Sequence, residues 1–133
     1  MAQTAGRKEA MKNKRLLDSF RNAAAGIERA FLEERNMKLH TLAAFLAVAG
    51  GLYFRVPLQS WTLIIIAIAV VFICELINTA IENIVDLVCP GYSEKARKIK
   101  DIAAGAVMTA AILAVLLGLI VFTGPIVALF TGR

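Results

Sequence analysis

Across residues 75–88 the chain reads ELINTAIENIVDLV, and Glu75, Asn78, Glu82 and Asp86 stand in it at helical spacing. At about 100° per residue these four, together with Thr79, fall within an arc of about 100° on one helix. Carboxylates and an amide on a single face supply hard oxygen donors for a divalent cation and a base for a weakly acidic proton. Three kinds of function suit such a stripe. It can relay protons or cations in a small transporter, it can bind Mg²⁺ and take a proton from a substrate, or it can join copies of the chain with no chemistry at all.

Depth separates these readings. Fourteen residues without a charge, WTLIIIAIAVVFIC, precede the stripe, and they open with Trp61, a residue that favours the membrane interface. Measured from Trp61, Glu75 lies about 21 Å along the helix axis, roughly 9 Å short of the far edge of a hydrocarbon core about 30 Å thick. A carboxylate at that depth costs about 2.5–3.5 kcal/mol on insertion scales, so Glu75 needs a reason to be there. Glu82 falls near the edge, and Asp86, beyond it, needs no special reason to be there. A transporter needs polar groups along its whole path, whereas the outer part of this helix and the following apolar segment are uncharged. The stripe is approachable from the inner side.

The elements that must carry the stripe follow from composition. Of 133 residues, 59% are hydrophobic, which is a membrane composition. Three segments, about 37–56, 61–88 and 102–123, are long enough to cross as helices. Of the fifteen Lys and Arg, nine lie in residues 1–38 and four in residues 95–100, whereas the turn YFRVPLQS has only Arg55. Positive residues collect on the cytoplasmic side, so the N-terminus, the second loop and the site are expected inside and the C-terminus outside. The net charge of +5 is thereby explained by topology, and no basic face suited to nucleic acid is left over.

Residues 1–14 read as a mobile basic tail without the apolar core of a signal peptide. Leu16, Phe20, Ala23, Ile27 and Phe31 then recur at spacings of three and four, which predicts an amphipathic helix over residues 15–35 lying on the inner membrane surface. A single membrane unit over residues 15–133 is expected. Read alone, Glu33 and Glu34 mark a solvated helix end, and His40 an interfacial histidine. Cys74 and Cys89 lie about 22 Å apart on one helix, too far for a disulfide, and read as structural. Ala106, Ala110, Ala114 and Gly118 repeat every four residues and predict a helix-packing face.

An inner-interface site with Mg²⁺ ligands, a base and the cations Lys95, Arg97, Lys98 and Lys100 has the parts that phosphoryl transfer needs. The soluble kinase signatures are missing: there is no G-x-x-x-x-G-K-[ST] loop and no H-R-D or D-F-G set.

ELINTAIENIVDLV, with FLEERN before it and KARKIKDIAAGAV after it, closely resembles the prokaryotic diacylglycerol kinase family, in particular the Gram-positive branch that acts on undecaprenol. The resemblance covers nearly the whole chain from about Arg15. It implies an all-α integral membrane homotrimer of three-span subunits, each with an N-terminal surface helix, with sites shared between neighbours. It implies transfer of the γ-phosphate of ATP to a lipid alcohol, either undecaprenol or diacylglycerol. Carried over by position, Glu75 is the catalytic base and Asn78 its close partner, while Glu34 and Glu82 are Mg²⁺ ligands. Lys100 and Asp101 are the nucleotide-binding pair, and Arg15, Asn22 and Tyr92 lie near the nucleotide. The chain departs from the enterobacterial pattern at Ser93, where those enzymes have a histidine, and at Asn22, where they have an aromatic residue.

Overall fold

The structure, a computed structural model, describes residues 2–131, with side chains placed from residue 15 onward. It is all-helical, in the order α1 (Ala2–Glu33), α2 (Arg35–Tyr53), α3 (Leu58–Val88) and α4 (Glu94–Thr131). Met1–Glu34 forms one compact unit and Arg35–Arg133 another.

In the first unit the helix begins at Ala2, where a mobile tail was expected over residues 1–14. Ala, Gln, Lys, Arg, Met and Glu make up most of that stretch, and their helix propensity does not require an apolar stripe. Further along α1, Leu16, Phe20 and Ile27 are exposed. Glu34 stands between α1 and α2, its N–H bonded to the Ala30 carbonyl at 3.1 Å.

In the second unit α3 is central, with α4 along it and α2 meeting it over a shorter stretch. The face α3 buries follows a spacing of three, four and seven: Ile64, Val71, Glu75 and Asn78. The complementary face of α4 is Ala103, Val107, Ala110 and Val121. That face corrects the expected small-residue stripe in part. Ala110 is buried and Ala114 and Gly118 half-buried, but Ala106 is exposed because the buried positions advance by alternating fours and threes.

The α2–α3 turn is fixed by a C-terminal cap. Arg55 adopts φ 50°, its N–H bonded to Leu52 O at 3.2 Å, and the Val56 N–H bonds to Gly51 O at 3.1 Å. This is the Schellman arrangement, here with arginine in the left-handed position usually held by glycine. It drives Val56 into a cluster with Ile64 and Val121, against which Trp61 packs. Gly51 lets the helices close: a Cβ there would meet Trp61 Cη2 at 2.9 Å.

Among the described residues two helices, α3 and α4, are long and apolar enough to cross a membrane, where the sequence led us to expect three. The 19-residue α2 falls short because it opens with Arg35, Lys38 and His40, leaving an apolar run of about 18 Å over residues 41–52. Both crossing helices also extend past the expected bounds: α3 starts at Leu58, before Trp61, and α4 spans Glu94–Thr131, so the basic cluster at 95–100 is helical. Within α4, Thr109 and Thr123 donate to the carbonyls of Gly105 and Leu119 at 2.8 and 2.5 Å, which satisfies their hydroxyls inside an apolar segment. A cavity of about 230 Å³ lies among α2, α3 and α4, lined by His40, several alanines, Val71 and Phe72.

Candidate active site

The polar stripe of α3 continues the face that packs the helix. Ile64 and Val71 are buried, and one turn after Val71 the same face presents Glu75, which is 1% exposed, followed by Asn78 at 4%. A carboxylate and an amide thus occupy positions that helix packing would fill with Leu or Val. Buried polar atoms require partners, and the stripe supplies some of its own. Asn78 Nδ2 donates to Glu82 Oε1 at 3.0 Å, one turn apart. Among the described residues Asn78 Oδ1 accepts no hydrogen bond, although it is buried. The amide therefore turns its donor to Glu82 and leaves an oxygen for another group.

Further along, the stripe reaches α4. Lys100 Nζ lies 2.6 Å from Asp86 Oδ1. Lys100 precedes the apolar stretch of α4, and its hydrogen bond to Asp86 raises it above the ordinary lysine pKa; desolvation opposes this, while the charges of Asp86 and Glu82 add to it. Glu82, Asp86 and Lys100 thus share one electrostatic neighbourhood. Asp86 is exposed, as its position beyond the hydrocarbon edge suggested, and it also pairs across to α4. A signal for its role was present: an acidic residue on the last turn of the stripe faces, across a short Pro-Gly loop, a helix that opens with four cations.

The other sequence-predicted residues are arranged less closely. Asp101 is exposed and pairs with Arg97 on its own helix at 3.6 Å, not with its neighbour Lys100. Tyr92, in the α3–α4 loop, is 87% exposed. That loop leads into α4 through Ser93, whose Oγ accepts from the Ala96 N–H at 3.4 Å and whose carbonyl accepts from the Arg97 N–H at 2.9 Å. Arg15 and Asn22 are exposed on α1, where the Ser19 hydroxyl donates to the Arg15 carbonyl at 2.9 Å, and Glu34 is half-buried at the end of that unit. Cys74 and Cys89 are free thiols.

The donor set suits a hard cation held partly by a nucleotide. Among the described residues no three His, Cys, Asp or Glu side chains converge on one point. Mg²⁺ in nucleotide sites takes one or two carboxylates and completes its shell with phosphate oxygens and water. Glu82, with one oxygen engaged by Asn78, and the open Asn78 Oδ1 are of that kind.

The family model described as "Prokaryotic diacylglycerol kinase" matches residues 21–122, well over half the chain. The chain is 38% identical to a diacylglycerol kinase of Synechocystis over 115 residues, covering 86% of this chain and 66% of that protein. It is 36% identical to the undecaprenol kinase of Bacillus subtilis over 108 residues, covering 81% of this chain and 88% of that one. A diacylglycerol kinase of Escherichia coli K12 is 32% identical over 91 residues, 68% of this chain and 75% of the relative. These likenesses favour lipid phosphorylation over transport as the use of the buried stripe. Taken with a buried carboxylate on a membrane-length helix, they establish that the chain belongs to the prokaryotic diacylglycerol kinase family of membrane lipid kinases.

Proposed function

We propose that this chain transfers the γ-phosphate of ATP to the hydroxyl of a membrane lipid alcohol, with undecaprenol as the acceptor and diacylglycerol as the close alternative. The observation that carries the reading is Glu75, a buried carboxylate placed one turn from the Asn78–Glu82 pair. A lipid hydroxyl is a poor nucleophile until its proton is accepted, so a base belongs at the depth where that hydroxyl rests. Glu75 takes the proton as the hydroxyl oxygen bonds to phosphorus and the bond to the ADP oxygen breaks. Val71 and Phe72, which line the apolar cavity, stand one turn before Glu75 and suit the first part of the lipid chain.

ATP cannot enter hydrocarbon, so its ligands belong about 10 Å nearer the water, where Glu82 lies. Glu82 and Glu34 would hold Mg²⁺, which when bound offsets the charge of the phosphates. Asn78 orients Glu82 through the bond it donates. Lys100 serves as a point cation for phosphate, and Asp101, Arg15, Asn22 and Tyr92 contact the nucleotide. The architecture that fits is a homotrimer, in which a neighbouring subunit encloses what one chain leaves open. In it α1 lies on the inner surface with the first fourteen residues as part of that helix, and residues 15–133 form one kinase domain. α2 crosses as a third, shorter span, with the N-terminus and site cytoplasmic and the C-terminus outside. Undecaprenol is favoured because EERN, NTAIEN and KDIAAGAV resemble the Gram-positive branch.

The test supplies purified protein in bilayers with Mg²⁺, labelled ATP and each alcohol, and follows label into the organic phase. Transfer to undecaprenol above diacylglycerol is expected. Preference for diacylglycerol would reassign the substrate, and transfer to neither would end the kinase reading. A reporter fused to the C-terminus should read outside, and a cytoplasmic signal would invert the topology.

A further inference from the structure

The ion pair between Lys100 and Asp86 joins α4 to α3, whereas the Arg97–Asp101 pair lies within α4. Its contribution to stability is small. The Asp86 side chain is 64% exposed and that of Lys100 34%, and an ion pair so open to solvent stabilises the fold little. Its effect on position is larger. Lysine carries its charge on a flexible four-carbon stem, and a contact of 2.6 Å holds the ammonium in one place before any phosphate arrives.

The alternative partner is close by. Glu82 stands one turn before Asp86 on the same face of α3, and one of its oxygens is engaged by Asn78. If Asp86 carried no charge, Lys100 would have Glu82 as its nearest anionic partner on the stripe, and pairing there would occupy the carboxylate assigned to Mg²⁺. We infer that Asp86 is a positioning residue for the nucleotide: it keeps the Lys100 ammonium at the phosphate end of the site and away from the carboxylate of Glu82. This rests on the lipid kinase reading for its purpose, though not for its readout. Asp86 does not touch the reacting atoms; it acts through Lys100.

The experiment measures equilibrium binding of labelled ATP with Mg²⁺ to the full chain in bilayers without lipid alcohol, in wild type, Asp86→Asn, Asp86→Glu, Lys100→Gln and the Asp86→Asn/Lys100→Gln double variant. Asp86→Asn should weaken ATP binding roughly threefold to tenfold and raise the Mg²⁺ concentration at half-saturation. Asp86→Glu, which keeps the charge, should stay within about twofold of wild type, and in the Lys100→Gln background Asp86→Asn should add nothing, because its effect passes through the missing ammonium. Unchanged ATP binding in Asp86→Asn, or equal losses in both backgrounds, would overturn the inference. So would an Asp86→Asn protein that fails to assemble while Lys100→Gln assembles, since the pair would then be a structural tie. A wild-type protein that binds ATP and shows this pattern, yet labels no lipid alcohol, would defeat the kinase reading and leave the role of Asp86 intact.

Discussion

The two ends of α3 use one helix face for opposite purposes. Towards its start the face carries Ile64 and Val71, and Ile64 sits in the cluster with Val56 and Val121 beside Trp61. Beyond Val71 the spacing continues unbroken through Glu75, Asn78 and Glu82, but the side chains change from hydrocarbon to oxygen and nitrogen. Packing alone would not choose Glu75 for a position that is 1% exposed, since burial of a carboxylate opposes folding and insertion alike. The first end therefore pins the helix, and the second spends that rigidity on holding polar groups in register.

The comparison predicts a sharp contrast between variants. Glu75→Gln keeps the size of the side chain and removes the base, so turnover should fall about 10²- to 10⁴-fold with assembly retained; labelled lipid phosphate and size-exclusion profiles measure the two effects. Near-normal turnover would remove the base assignment. Glu82→Gln should shift the Mg²⁺ titration to higher concentration while maximal turnover falls less than in Glu75→Gln, and an unchanged titration would exclude Glu82 as a ligand. At the other end of the helix the sign of the experiment reverses. Gly51→Val forces a side chain against Trp61 and should destabilise by about 1–3 kcal/mol, seen as a lower thermal midpoint, while the KM for ATP stays unchanged. The smallest effect is expected at Arg55→Gly, which relieves the left-handed backbone and should raise the midpoint by the equivalent of up to about 1 kcal/mol. A change in ATP affinity in either of these last two variants would show that the ends of α3 are less independent than drawn here.

Much of the site could be read from spacing, because its residues share one helix. Glu75, Asn78 and Glu82 are neighbours by helical geometry, and the structure adds the direction of the bond between the last two. The ion pair of Asp86 could not be read in the same way, since it depends on how α4 docks on α3, and that docking is set by Ala103, Val107 and Ala110 rather than by any charge. The same dependence displaced Ala106 from the expected packing face. At the N-terminus residues of high helix propensity form a helix from Ala2, over a stretch whose sequence reads as a basic tail. In α2, a polar first turn and a half shortened the apolar run that composition had suggested.

At 31 residues α3 is about 46 Å long, some 16 Å more than the oily layer it would cross. With Trp61 held near one boundary, most of that surplus emerges on the opposite side, taking Asp86 and the last turn with it. The enzyme thereby carries a ledge into the headgroup zone. On the proposed reading, a lipid anchored by its tail meets the nucleotide at the foot of that ledge, and its phosphorylated head has about 9 Å to travel from the depth of Glu75 to the headgroups.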